Sequence, residues 1–170
     1  MASLEDRVAA LEVEVRRLND HLAIQKIISR YGPFVDCINS TGRVEKFAEY
    51  YGADMIYDIS DKHKFNGADF ARSLLTIPSH QDYVTSGSTH VMAFPYILVD
   101  GDRATALGYS HVIKNAHDGT FTVVRSSVNY WEFSRDGGNW RIVRRTNRPV
   151  DGTDEAYNLM HRVDAQDPAL

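Results

Sequence analysis

Three Asp-Gly pairs, Asp100-Gly101, Asp118-Gly119 and Asp136-Gly137, punctuate the second half of the chain and constrain its fold more than any other feature. Each lies between runs rich in Val, Ile, Tyr, Phe and Trp. Glycine takes the positive φ that a tight hairpin needs, so Asp-Gly between apolar runs is the commonest short hairpin signal. The spacing predicts strands over 89–99, 103–114, 120–133 and 140–146, joined as an antiparallel meander. Pro149 ends the last strand, because proline cannot donate to a sheet ladder.

The first half has a helical period. Ile24, Ile27, Ile28, Tyr31 and Val35 recur at helical spacing and predict an amphipathic helix facing a core. Val44, Phe47, Ala48 and Tyr51 predict a short helix ending near Gly52, after a turn over 39–43 in which Ser40 or Thr41 is available as a cap. Residues 55–59 alternate as a strand, with Tyr57 and Asp58 on opposite faces. Asn66-Gly67 marks a turn before a helix over 68–75, and the breaker-rich stretch 78–87 reads as a loop beside a pocket mouth. Helices followed by a meander define an α+β domain, with a curled, mixed, mostly antiparallel sheet wrapped around N-terminal helices. At 170 residues, 43% hydrophobic and 25% charged, the chain has the size and composition of one cored domain. The expected divisions are a helical extension over 1–22, the domain over 23–150 and a tail over 151–170. The tail has a helical turn near 156–161 and a polar end expected to be disordered.

Leu4, Val8, Leu11, Val15, Leu18 and Leu22 alternate steps of four and three, the seam of a coiled coil. The seam runs for only about two and a half heptads, so a self-association arm competes with a helix packed on its own domain. The net charge of −4 carries no basic block, which argues against a nucleic-acid partner. No apolar run approaches the roughly 20 residues of a membrane span, and the charged start is unlike a secretory leader. A lone cysteine, Cys37, fits a reducing, cytoplasmic location and reads as a small buried residue rather than a nucleophile.

The chemistry gathers around Asp36. A carboxylate near the inner stripe of a helix is costly to bury without a partner. The best partner in the chain is His90, on a later strand. In an Asp–His pair the carboxylate fixes the imidazole tautomer and supports its charge after it takes a proton, which makes a general base. A core histidine bonded to backbone, with Asp36 in solvent, is the alternative. Met92, Phe94 and Tyr96 alternate from His90 and are expected to line the pocket or an interface; as a pocket lining they would suit a flat apolar substrate. Arg125, Ser127, Asn129 and Trp131 share one strand face, which turns either inward to the pocket or outward to solvent. The outward orientation is expected for Arg125. Of Arg141, Arg144 and Arg145, at least two are expected on a solvated strand end. The seven histidines have no paired-ligand spacing, and no glycine-rich phosphate loop follows a strand, so neither a metal nor a nucleotide cofactor is expected.

The opening Leu4-Glu5-Asp6-Arg7-Val8-Ala9-Ala10-Leu11-Glu12, then Ala23-Ile24-Gln25-Lys26-Ile27, Tyr31 and Asp36, and finally Gly87-Ser88-Thr89 leading into His90, form a distinctive order of parts. On these residues the chain resembles the SnoaL-like branch of the nuclear-transport-factor-like superfamily over roughly 4–149. Within it the chain is most similar to bile-acid 7-alpha-dehydratase, scytalone dehydratase and hexachlorocyclohexane dehydrochlorinase. The resemblance implies a cone-shaped barrel open onto a deep pocket and favours a trimer, where the arm by itself leaves a homo-oligomer, trimeric or dimeric, open. It implies catalytic roles for Asp36, His90 and Tyr31, and substrate contacts at Tyr57, Ser127, Asn129 and Arg145. The second histidine of scytalone dehydratase falls near Ala116 in a turn, and His111, on the same predicted strand, is the nearest substitute. The implied activity is a dehydratase-type lyase acting on a small apolar cyclic substrate such as a steroid, polyketide or aromatic compound. An isomerase is its near neighbour. A non-catalytic ligand-binding or assembly module is the competing reading.

Overall fold

The computed structural model describes residues 2–39, 41–49, 51–60 and 63–163. The Ser40 cap and the polar end from 164 onward lie outside the described residues, as do the side chains of Thr41, Ala48 and Tyr51.

Helix α1 (Leu4–Ser29) opens on a capping box. Ser3 Oγ accepts the Asp6 N–H at 3.0 Å and the Asp6 carboxylate accepts the Ser3 N–H at 2.9 Å, which satisfies two orphan donors of the first turn. One continuous helix was expected through Val35, but α1 stops and α2 (Tyr31–Val35) begins after Arg30. Pro33 supplies the reason: it has no N–H for the Ser29 carbonyl, and its ring crowds that carbonyl. Ile24 and Ile28 are buried, whereas Leu4, Leu11 and Leu22 are each more than half exposed. The heptad seam therefore does not pack on its own domain. The helix is instead tied down by Asp20, whose carboxylate accepts from Arg135 Nη2 at 2.7 Å and from Trp140 Nε1 at 3.0 Å.

The chain continues through α3 (Thr41–Ala48), β1 (Tyr51–Ser60), β2 (His63–Asn66), α4 (Gly67–Ser73) and α5 (Pro78–Ser86). Then come β3 (Ser88–Met92), β4 (Tyr96–Asp100), β5 (Arg103–Asn115), β6 (Phe121–Asp136), β7 (Asn139–Pro149) and α6 (Asp154–Met160). The sheet order is β2-β1-β7-β6-β5-β3, with β4 also pairing β5. Among the described residues only β1 and β7 run parallel. Gly101, Gly119 and Gly137 all have positive φ, as the hairpin reading requires.

Three expectations are corrected. The strand over 89–99 is two strands, because Pro95 cannot donate to the ladder. Its neighbour Gly108 lets the kink sit close, a Cβ there being only 3.3 Å from Pro95 Cα. The stretch 78–87 is a helix, begun by Pro78 in the first turn and stopped by Gly87 at φ +78, since proline is tolerated where no intrahelical N–H bond is due. The helix expected to reach Tyr51 ends at Ala48, and Tyr51 opens β1.

The inner face of the sheet packs on the helices through Ile28, Val35, Phe47, Phe70, Trp131 and Phe133. Val128 and Tyr130 point to the opposite face, where α6 covers them with Ala156 and Leu159. Among the described residues no helix is long and apolar enough to cross a membrane.

Candidate active site

Helix α2 lies on β3, and the contact depends on having no side chain at Gly32. A Cβ there would fall 2.0 Å from the His90 carbonyl oxygen. Asp36, which caps α2, faces the same strand. Its Oδ2 accepts the His90 backbone N–H at 2.9 Å and its Oδ1 lies 2.5 Å from His90 Nδ1. The carboxylate thus holds both the backbone and the ring of His90. An ionised carboxylate only accepts, so Nδ1 carries the proton, and in the neutral ring Nε2 is left with its lone pair free. Cys37, next in sequence, is half-buried rather than buried as expected, and donates its thiol to the Pro33 carbonyl at 2.8 Å.

His90 lies on the wall of a cavity of about 170 Å³, with Tyr31, Tyr57 and Tyr83 also on the wall. The Tyr31 ring stands edge-on to His90 at 6.0 Å and the Tyr83 ring at 6.3 Å. Beneath them Arg145 is fully buried, its guanidinium 3.9 Å from the Tyr31 ring centre and 4.7 Å from that of Tyr57. Stacking a weakly hydrated guanidinium on ring faces lets it keep its charge out of water. Tyr57 shares a hydrogen bond with Tyr31. Burial pushes the Tyr57 phenol well above its ordinary value, while the charges of Arg145 and Arg125 act in the opposite direction.

Asn129 is wholly buried and absent from the cavity wall. Its carbonyl oxygen accepts from Arg145 Nη2 and Asn147 Nδ2, both at 2.8 Å, and its amide donates to Ser110 Oγ at 2.9 Å. It therefore orients the wall instead of touching what the cavity holds. Ser127 does reach the cavity. His111 does not: it alternates with Ser110 and Val112, both on the wall, and points to the other face of β5. Arg144 and Arg141 are outside, paired with Asp58 at 3.0 Å and Asp136 at 3.7 Å.

Two further expectations are corrected. Of the two places open to Met92, Phe94 and Tyr96, the cavity is excluded, since none of them lines it and Phe94 is 83% exposed; the kink at Pro95 breaks the alternation on which the pocket reading rested. Arg125 turns inward and joins the wall, because β6 keeps it in phase with Ser127, its Nε donating to Ser127 Oγ at 3.0 Å. The wall is accordingly polar, with Ile59 and Val112 its only aliphatic members among the described residues. Among the described residues no group of three or more His, Cys, Asp or Glu side chains is placed to hold a metal ion.

Sequence reasoning missed Ser79, Tyr83 and His80, all on α5. The i, i+4 spacing of Ser79 and Tyr83 directly after Pro78 was the available sign. His80 is buried, bonded to the Val35 backbone, with its ring 6.5 Å from that of His90. Burial, and then the charge on His90, lower its pKa. A folded value below the unfolded one, about 6.5, means that the unfolded chain takes up a proton that the fold resists. This contribution is present above about pH 6.5 and is lost as pH falls through the lowered folded value. The melting temperature should therefore drop on acidification below about pH 6.5, and His80→Gln should flatten the drop. An unchanged slope in thermal melts across that range would remove His80 as its source.

A cone of N-terminal helices wrapped by a curled sheet, open at one end onto a polar cavity, is the architecture of the nuclear-transport-factor-like class. A family model for SnoaL-like domains matches residues 16–146, and the chain belongs to that family. A solved structure of an NTF2-like protein with a cystatin-like fold from Novosphingobium aromaticivorans is 31% identical, with a TM-score of 0.81, covering 94% of this chain and 98% of its own. The hexachlorocyclohexane dehydrochlorinase of Novosphingobium barchaimii shares the fold at 18% identity and a TM-score of 0.62, over 82% of this chain and 96% of its own. A candidate scytalone dehydratase from Novosphingobium aromaticivorans does so at 16% and 0.61, over 79% and 86%. Among curated proteins none matches.

Proposed function

We propose that the protein is a cofactor-independent lyase that eliminates water across a carbon–carbon bond beside a carbonyl group. The observation that carries this reading is the Asp36–His90 pair, with Nε2 of His90 the ring nitrogen left to accept a proton at the cavity wall. Nε2 takes the proton from the carbon next to the carbonyl, and the electron pair moves onto the carbonyl oxygen. Tyr31, which accepts the Tyr57 hydroxyl, donates its own to that oxygen, and the buried Arg145 guanidinium lowers the energy of the negative charge that forms there. The enolate then collapses: the carbon–carbon double bond forms, the carbon–hydroxyl bond breaks, and the imidazolium returns its proton to the departing hydroxide as water.

A cavity of about 170 Å³ is below the roughly 300–1,000 Å³ of sites for drug-sized ligands. This favours a single-ring substrate over a steroid. The experiment is a panel of cyclic and aromatic β-hydroxy ketones, followed by enone absorbance and water loss, with His90→Asn protein alongside. Water loss by the wild type alone supports the reading. Movement of a double bond without water loss would make the enzyme an isomerase, and equal turnover by both proteins would remove His90 as the base.

A further inference from the structure

The inward turn of Arg125 bears on what the cavity binds. His90, Val112 and Arg125 are lateral partners across β3, β5 and β6. Arg125 thus stands in the same row as the base, two strand spacings or about 10 Å away along the sheet. Its guanidinium is held in place by two neutral groups, Ser127 Oγ at 3.0 Å and Asn147 Oδ1 at 2.7 Å. A guanidinium has five N–H donors in a rigid fork, so three remain. Among the described residues Arg125 has no carboxylate partner, and no Asp or Glu is on the cavity wall. Asp36, behind the wall, is already engaged by His90 on both oxygens. Arg125 is also more than a third exposed, which puts it at the mouth, where a ligand meets it on the way in.

We propose that Arg125 is a carboxylate-binding residue, and that the substrate is a compact cyclic or aromatic acid whose carboxylate sits at the mouth while its reactive carbon faces His90. A planar fork held by neutral partners suits two-point recognition of a carboxylate. The proposal rests on the elimination reading for the identity of the reacting end, but the binding it describes does not require turnover. It also accounts for the polarity of the wall, which a purely apolar substrate would leave unused.

The experiment is calorimetric titration of the whole protein with benzoate, cyclohexanecarboxylate and 4-hydroxybenzoate, each against its uncharged amide of the same shape. The wild type should bind the acids about tenfold or more tightly than the amides. Arg125→Gln should abolish that preference, Arg125→Lys should retain part of it, and His90→Asn should keep it in full. Preference kept by His90→Asn in a protein with no eliminating activity would uphold the anion site while the catalytic reading fails. Acids that bind no tighter than amides, no binding by any acid, or a preference that survives in Arg125→Gln would overturn the proposal.

Discussion

Replacing His90 with asparagine should lower kcat by about 10²–10⁴-fold, the usual worth of a positioned general base, and leave a folded protein. Asparagine is chosen for its geometry. Its amide nitrogen takes the place of Nδ1, so the donor to Asp36 is kept while Nε2 disappears. The loss then reports on proton transfer and not on the 2.5 Å contact that anchors the ring to Asp36. Parallel measurement of kcat and of the melting temperature checks this. A variant that turns over normally, or one that loses activity only because it unfolds, would leave the base unassigned.

The second large effect is expected from a single methyl group at Gly32. A Cβ at this position would lie 2.0 Å from the His90 carbonyl oxygen and 3.2 Å from its carbonyl carbon. Both are backbone atoms and cannot swing aside. Helix α2 must instead lift from β3, and Gly32→Ala should cost about 3 kcal/mol, the upper part of the overpacking range. For a chain of this length that is about 6–12 °C in melting temperature. Asp36 is carried on the same helix, so the shift also draws its carboxylate from His90, and activity should fall further than stability alone explains. Thermal melts and kcat of the variant test both parts. A melting temperature within a degree or two of wild type would show that the helix and strand are not in the contact described.

The outline of this site was legible in the sequence because its main carriers are local signals. Asp-Gly turns set the hairpins, and the apolar stripe through Ile24 and Ile28 set the helix that the sheet wraps. The pairing of Asp36 with His90 followed from the need of a half-buried carboxylate for a partner. What escaped was decided by contacts distant in sequence. The alternation of Arg125, Ser127 and Asn129 was plain, but only the curl of β6 around the helices determines that their shared face is the inner one and that Asn129 lies beneath the wall. His111 is one residue out of phase with Ser110 and Val112, which moves it to the opposite face. The parallel pairing of β1 with β7 joins the two ends of the domain, and no local pattern announces it. Helix α5 was hidden by its breakers, since Pro78 and Gly87 mark its two ends as readily as they mark a loop.

The claim on which the rest depends is that Asp36 fixes the tautomer of His90, and nitrogen-15 NMR of the labelled protein at mildly alkaline pH reads that tautomer without any substrate. The neutral His90 ring should carry its proton on Nδ1 with Nε2 bare, and Asp36→Asn should erase that bias. A proton on Nε2 in the wild-type protein would contradict the account, because the nitrogen assigned to take the substrate proton would already be occupied.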